Sequence, residues 1–422
     1  MNRKMKDSGV EWIGEIPEDW EVSKIKYVTN ELYTGATPQS ENDDFYSDIG
    51  IPFVTISDMS CNDFVEVTKK SITEQGQEDK KLKILPKGTI LYSIYATIGK
   101  VSELNIDACI NQALLAILHN ETLNKNYLKY SLKSMESYVL SQCFLSSQNN
   151  LNTSKVKNFN ILIPCNEKQK LIAETLDKKC TQIDALIQNQ QQQIEKLKQY
   201  KQSLITETVT KGLEPNVPMK DSGVEWIGEI PENWEVRKIK FVSSVEKELW
   251  SEKYLDKNIN YIGLENIESG NGKKIETNSI YEKDKSLIYK EKDILFGKLR
   301  PYLAKVYLAK EIGCCSSEFC VIRTNTEYLS NYIWAVLISK SFIDTVNFST
   351  YGTKMPRANT DFIKNMQIPI PPFEEQEKIA TYLDKKCSQI DNLIKIKEEK
   401  IQKLNDYKKS IIYEYVTGKK EA

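Results

Sequence analysis

Residues 5–28, MKDSGVEWIGEIPEDWEVSKIKYV, return at 219–242 as MKDSGVEWIGEIPENWEVRKIKFV, changed only at Asp19/Asn233, Ser23/Arg237 and Tyr27/Phe241. A second pair behaves the same way. IAETLDKKCTQIDALI at 172–187 matches IATYLDKKCSQIDNLI at 379–394 except at Glu174/Thr381, Thr175/Tyr382, Thr181/Ser388 and Ala185/Asn392. The chain is therefore one unit of roughly 210 residues written twice, with fixed ends and diverged middles. Such an arrangement suits one scaffold that carries two different readers.

At 422 residues the chain has room for roughly two to four domains, and the repeat favours two copies of a two-part unit. A charged fraction of 28% beside a hydrophobic fraction of 40% gives a soluble chain with enough apolar side chain for real cores. No apolar run reaches the roughly 18 residues of a membrane span. The opening MNRKMKDSG lacks the apolar stretch of a secretory signal, so the expected compartment is the cytoplasm, with no membrane. A net charge of −1 argues against a uniformly basic nucleic-acid binder, but 58 Lys and Arg leave room for local patches. The nine cysteines form no CxxC pair, and His119 is the single histidine, so zinc-ligand spacing is absent. Cys180 and Cys387 are repeat-equivalent and fall on apolar helical positions, where small core residues belong.

Trp12, Ile13, Ile16 and Trp20, repeated as Trp226, Ile227, Ile230 and Trp234, form an aromatic cluster suited to a packing collar. The middles, 29–165 and 243–372, alternate short β-rich runs such as IPFVTI (51–56) and DILFG (293–297) with turn residues. Between these runs lie helical stretches such as Leu123–Leu140 and Tyr328–Val346. The fold class read from this pattern is α+β, two globular domains separated by two long helices.

Each middle ends at proline, in NILIPCNEKQ and MQIPIPPFEEQ, and an uninterrupted helical pattern follows. Ile172, Leu176, Cys180, Ile183, Ile187, Ile194, Leu197 and Leu204 recur at steps of three or four, as do Ile379, Leu383, Cys387, Ile390, Ile394, Ile401, Leu404 and Ile411. From Ile183 and Ile390 the steps alternate as in a coiled-coil seam. Helices of about 45 residues make rods of roughly 65–70 Å, and an isolated rod would leave its apolar stripe wet. Each therefore needs the other. Antiparallel pairing returns the second helix to the first domain and sets each Val-Thr helix end (Val209-Thr210, Val416-Thr417) beside an MKDSGVEWIG segment. Gln190 and Lys397 interrupt the seam, either fixing its register or loosening it mid-rod. The expected divisions are 1–165, helix 166–211, linker 212–218, 219–372, and helix 373–418.

Several chemistries are missing. One histidine leaves no room for most Ser-His or Cys-His nucleophile systems. No GxxxxGK[ST] or strand-GxGxxG-helix pattern occurs. Pro371-Pro372-Phe373 superficially resembles an amino-methyltransferase loop, but Ile370 stands where the polar residue would be. The chain reads as a binder, not a catalyst.

DSGVEWIGEIPExWEV, GTILYSIYATIGKV and LNTSKVKNFNILIPCNEKQKLIAETLDKKCTQID, with KDILFGKLRPYLAKV and the run from YGTKMPRANT to KKCSQID in the second copy, resemble the specificity subunit of type I restriction-modification systems. The likeness covers essentially the whole chain. It implies that 1–165 and 219–372 are target-recognition domains, each reading one half of a split, asymmetric site in double-stranded DNA. It also implies that the helices space the domains and dock two methyltransferase subunits, beside translocase/endonuclease subunits. This chain would bind no cofactor, whereas those partners use S-adenosylmethionine, ATP and Mg²⁺. Two readers on one face of B-DNA stand about 34–36 Å apart, a distance a helical rod can set. Base flipping for methyl transfer then falls to the partners. The rival reading is a coiled-coil adaptor that grips proteins and has no DNA specificity.

Lys298, Arg300, Tyr302 and Lys305 cluster in FGKLRPYLAK, and Thr350, Tyr351, Thr353, Lys354, Arg357 and Asn359 in TYGTKMPRANT. Arg and Lys suit guanine edges and phosphates. By position, Ser93, Tyr95, Thr97 and Lys100 match the first cluster, and Ser147, Gln148, Asn149, Asn150 and Asn152 the second. The first domain departs from the second here, with Leu145 in place of Gly352 and no arginine. Each residue is read as a DNA contact or an ordinary solvated loop side chain. For docking, the helix starts offer Glu167, Gln169, Asp177 and Asp184, with Glu374, Gln376, Asp384 and Asp391, whose other reading is helix-start charge favoured by the macrodipole.

Overall fold

The repeated opening begins with the same strand pair in both copies. In a computed structural model that describes residues 3–59, 63–145, 150–250, 260–276, 286–350 and 355–422, strand Met5–Asp7 pairs antiparallel with Glu15–Pro17, and Met219–Asp221 with Glu229–Pro231. Trp20 and Trp234 are fully buried, with Ile16 and Ile230. The chain divides into two compact units, Met1–Gln190 with Glu399–Ala422, and Gln191–Glu398.

Within the first unit, the main sheet runs in the order Thr29–Thr34, Leu114–His119, Ile90–Ser93, Val101–Leu104, Phe64–Val65. Within the second, it runs Ser243–Glu246, Phe319–Thr324, Ile294–Gly297, Val306–Leu308. The first four strands thus follow one order in both, despite diverged sequence. Burial on both faces explains the apolar runs of the inner strands Ile90–Ser93, Leu114–His119, Ile294–Gly297 and Phe319–Thr324. Ile90, Tyr92, Leu115 and Ile117 face one core, and Leu91, Leu114 and Ala116 face another. Ile294 and Phe296 are likewise separated from Leu295. A small second sheet pairs Cys109–Ile110 in parallel with Ile51–Val54, as Gly313–Cys315 pairs with Asn260–Ile262.

The helical stretches expected at Leu123–Leu140 and Tyr328–Val346 are each divided into two helices, Lys125–Ser134 with Glu136–Leu145, and Ser330–Ile338 with Lys340–Phe348. The second break is at Ser339, whose backbone turns extended while its buried hydroxyl donates to the Val336 carbonyl. Turning there lets Phe342, Ile343 and Val346 rejoin the core that Ile333 and Val336 occupy.

Strand Asn160–Ile163 pairs with Glu21–Lys24, and Gln367–Ile370 with Glu235–Lys238, so each proline-ended segment closes its domain against the opening. The long helices then run Asn166–Lys211 and Phe373–Val416. In the first unit, the Lys179 ammonium lies 6.0 Å from the Tyr415 ring, and Asp184 accepts from Lys408 at 2.7 Å. In the second, Lys201 donates to Asp391 at 2.7 Å and Lys397 to Gln193 at 2.5 Å. The two helix segments in each unit therefore run in opposite directions. Buried Tyr127 donates to the Leu162 and Val416 carbonyls, and buried Tyr332 to those of Pro369 and Val209. Each Val-Thr helix end is thereby tied to a domain core. Among the described residues, no helix is long and apolar enough to cross a membrane.

Candidate nucleic-acid interface

Strands Ile294–Gly297 and Val306–Leu308 form an antiparallel hairpin whose connection carries Lys298 to Lys305. Arg300 adopts φ 50°, a left-handed backbone that a non-glycine residue holds only at a cost of about 1–2 kcal/mol. Pro301–Leu303 make one 3₁₀ turn, and Ala304 is left-handed again at φ 47°. Backbone hydrogen bonds hold the strained tip. Arg300 N donates to Pro356 O at 2.8 Å, and Ala358 N to Lys298 O at 2.9 Å. The structure thus brings together the hairpin and the 355–359 end of the TYGTKMPRANT segment.

The candidate side chains are not equally available. Arg300 is exposed and Tyr302 is 52% exposed. Among the described residues the Arg300 guanidinium has no hydrogen-bond or ion-pair partner, so its five donors face solvent, free to fork onto guanine O6/N7 or a phosphate. Lys298 is half-buried. Lys305 donates to Leu264 O at 2.8 Å, and burial lowers its pKa despite the opposing charge of Glu265. Its ammonium therefore clips the loop to a neighbouring segment. Arg357 is paired to Glu318 at 2.7 Å. Thr350 Oγ1 donates to Asn347 O, and Asn359 Oδ1 accepts from Asp361 N, capping the helix Thr360–Asn365.

In the first unit the hairpin Ile90–Ser93 and Val101–Leu104 carries the matching loop. Leu151 N donates to Ile94 O at 3.1 Å, again joining the two candidate segments. Ser93 is buried, and its hydroxyl is spent on Thr97 O and Lys100 N, so it shapes the turn and faces no ligand. Tyr95 and Thr97 are exposed, whereas Lys100 pairs with Glu136 at 2.7 Å. Asn150 is exposed, and Asn152 caps the helix Thr153–Lys157 through Lys155 N. Ser147, Gln148, Asn149, Tyr351, Thr353 and Lys354 lie outside the described residues.

One position was missed from sequence. The strands end at Ser93 and Gly297, and the third residue beyond each is left-handed, Ala96 at φ 56° and Arg300 at φ 50°. Ala96, not Tyr95, therefore occupies the place of Arg300, because the second loop is longer by one residue. Lys100 and Lys305 remain equivalent at the loop ends. Nothing in an alanine codon position signals this. Only the backbone angle does.

The docking candidates divide similarly. Gln169 and Gln376 are 1% exposed. Gln169 bridges Asn124 N and Pro164 O, and Gln376 bridges Leu329 N and Pro371 O, so both lock the helix start to the domain and offer no surface. Asp177 accepts from Tyr130 at 2.7 Å, Asp184 from Lys408, and Asp391 from Lys201 and Lys273. Glu167, Glu374 and Asp384 are exposed.

Each unit is thus an α+β domain that presents a braced hairpin tip, and the two tips differ in side chain. Residues 17–196 and 231–415 both match the type I restriction modification DNA specificity domain, and the chain belongs to that family. It is similar to two proteins of Methanocaldococcus jannaschii. One is a putative type I restriction enzyme MjaX specificity subunit, at 29% identity over 96% of this chain and 95% of that protein. The other is the MjaVIII specificity subunit, at 27% identity over 96% and 93%. A solved chain from work on complex assembly and conformational transition of the type I R-M system shares the fold, with a TM-score of 0.67, 14% identity, and 95% and 98% of the two chains covered.

Proposed function

We propose that this chain is the DNA-recognition subunit of a type I restriction-modification complex, in which each unit reads one half of a bipartite, asymmetric site. The observation that carries this reading is the doubled family match on two domains whose hairpin tips share a left-handed residue three positions past the strand and differ in its side chain, Ala96 against Arg300. Shared geometry with different chemistry suits two readers of two different half-sites. The long helices act as an antiparallel coiled-coil spacer with a pseudo-twofold internal repeat. The opposed helix directions within each unit support that reading. The divisions follow, with target-recognition domains over 1–165 and 219–372 and spacer helices over 166–211 and 373–418. The subunit is non-catalytic. Two methyltransferase subunits bring S-adenosylmethionine to adenine N6, and translocase/endonuclease subunits bring ATP and Mg²⁺.

The test is co-expression with the candidate methyltransferase subunit, followed by genome-wide mapping of N6-methyladenine. A split asymmetric motif is expected. Arg300→Ala should relax one half only, by about 1–3 kcal/mol of base discrimination at one position. Ala96→Arg should tighten or redirect only the other half. Methylation without a defined motif, or equal methylation without this chain, overturns the proposal.

A further inference from the structure

Tyr127 and Tyr332 occupy the same place in the two copies, each donating to the carbonyls of a closing strand and of a Val-Thr helix end. Three residues further along each helix, Tyr130 therefore corresponds to Ala335. Asp177 and Cys180 correspond likewise to Asp384 and Cys387. In the first unit Tyr130 is buried between the helices Lys125–Ser134 and Asn166–Lys211. Its hydroxyl donates to Asp177 Oδ1 at 2.7 Å, and Asn126 Nδ2 donates to Asp177 Oδ2 at 3.3 Å. Cys180 is buried beside it. One phenol side chain thus ties the domain to the long helix.

In the second unit that ring is missing, and an open cavity of about 750 Å³ stands beside Ala335. Trp334, Ala335, Leu383 and Cys387 give it apolar walls, and Asn331 and Asp384, the counterparts of Asn126 and Asp177, are its polar groups. Among the described residues, the Asn331 and Asp384 side chains make no hydrogen bond or ion pair. Cys387 is half-buried where Cys180 is buried. The walls do not close inward to fill the space, because each is held. Trp334 Nε1 donates to Val306 O at 2.9 Å. Lys201 and Lys273 both pair with Asp391, at 2.7 and 2.9 Å, and Gln202 donates to Gly270 O at 2.7 Å. A Cβ on Gly272 would stand 2.1 Å from Val306 O and 3.2 Å from Trp334 Cζ2, so the 270–274 segment lies directly against the indole.

We propose that this cavity binds a small phenol, whose ring takes the place of the Tyr130 ring and whose hydroxyl donates to Asp384. The first copy supplies the template, since it fills the equivalent space with a phenol on an identical carboxylate. The other exchange in the wall points the same way. Trp334 stands where the first copy has Lys129, whose ammonium is spent on Glu103, so an aromatic group replaces a cation beside the space. The remaining carboxylates are already matched, Asp391 by Lys201 and Lys273 and Glu311 by Lys274 at 3.6 Å. Asp384 is left as the open acceptor, which selects a ligand with a donor and disfavours an anion. A bound phenol fastens the helix Ser330–Ile338 to Phe373–Val416 as Tyr130 fastens their counterparts. The site stands independently of the function proposed above.

p-Cresol is the tyrosine side chain as a free molecule, and calorimetric titration of p-cresol into the full chain tests the site. One site is expected, with a dissociation constant of about 1 mM or tighter. Ala335→Tyr should rebuild the arrangement of the first copy, raise the thermal midpoint and abolish binding. Asp384 is exposed and makes no hydrogen bond among the described residues, so Asp384→Ala should keep the fold while weakening p-cresol by about 10-fold. Alkylation by iodoacetamide, mapped by mass spectrometry, locates the ligand. p-Cresol should slow the reaction at Cys387 and leave that at exposed Cys165 unchanged. No binding to the wild-type chain, binding without protection of Cys387, or undiminished affinity in Asp384→Ala would each overturn the site, as would binding that survives in a folded Ala335→Tyr chain.

Discussion

Glu136 receives Lys100 at 2.7 Å and Lys409 at 3.3 Å, holding the tip loop and the end of the second long helix to one carboxylate. Burial pushes its pKa up, but the hydrogen bonds and charges of Lys100 and Lys409 prevail and leave it below the ordinary 4.5. A carboxyl depressed in the fold stabilises fully above its unfolded value and loses that contribution as pH falls through the folded one. Hydrogen exchange across 136–145 should therefore quicken as pH drops below 4.5 beyond the intrinsic trend, and Glu136→Gln should flatten that response. A different residue pair marks where sequence reading stops. The Trp234 indole donates to Glu375 at 2.9 Å, while buried Trp20 Nε1 has no hydrogen-bond partner among the described residues. In the first copy Lys168 stands in the place of Glu375 and turns to Asp19, which the second copy has as Asn233. Both substitutions are visible in the repeat. That they are one exchange of partners is visible only in space.

At the scale of elements, the helix ends are set by glycine. Gly212 and Gly418 are left-handed at φ +78° and +71°, as helix-terminating residues usually are. A Cβ on Gly418 would meet Pro17 Cδ at 2.6 Å and the Trp20 ring at 3.1 Å. Gly223 has a similar φ of +68° but open space around it. Gly418→Ala should accordingly cost about 2–4 kcal/mol, a backbone penalty plus overpacking, and Gly223→Ala only about 1 kcal/mol. Thermal unfolding of the two variants checks the difference, and equal midpoints would refute the steric account. The long helices were legible because their apolar spacing and lack of Gly or Pro leave few alternatives. The split at Ser339 was not, since serine is an ordinary helix residue until its hydroxyl finds the Val336 carbonyl.

For the whole molecule, the spacer proposal makes length a functional quantity. Deleting residues 189–195 and 396–402 together removes one heptad at matched levels and keeps the seam in phase. Each rod should shorten by about 10 Å, and the mapped methylation motif should lose roughly three base pairs of spacer while both half-sites stay the same. An unchanged spacer would mean the helices do not set the distance. The sequence by itself determined the doubled plan, the α+β class and the long helices, because repeats and periodicity are local patterns that any compatible fold must obey. Only the tertiary structure decided which candidate side chains are free. Ser93, Gln169 and Gln376 are polar in sequence yet buried in bonds, while Ala96 is unremarked in sequence yet shares the strained tip with Arg300. Burial, hydrogen-bond partners and a left-handed φ depend on what lies opposite a residue in space, and chain order does not record that.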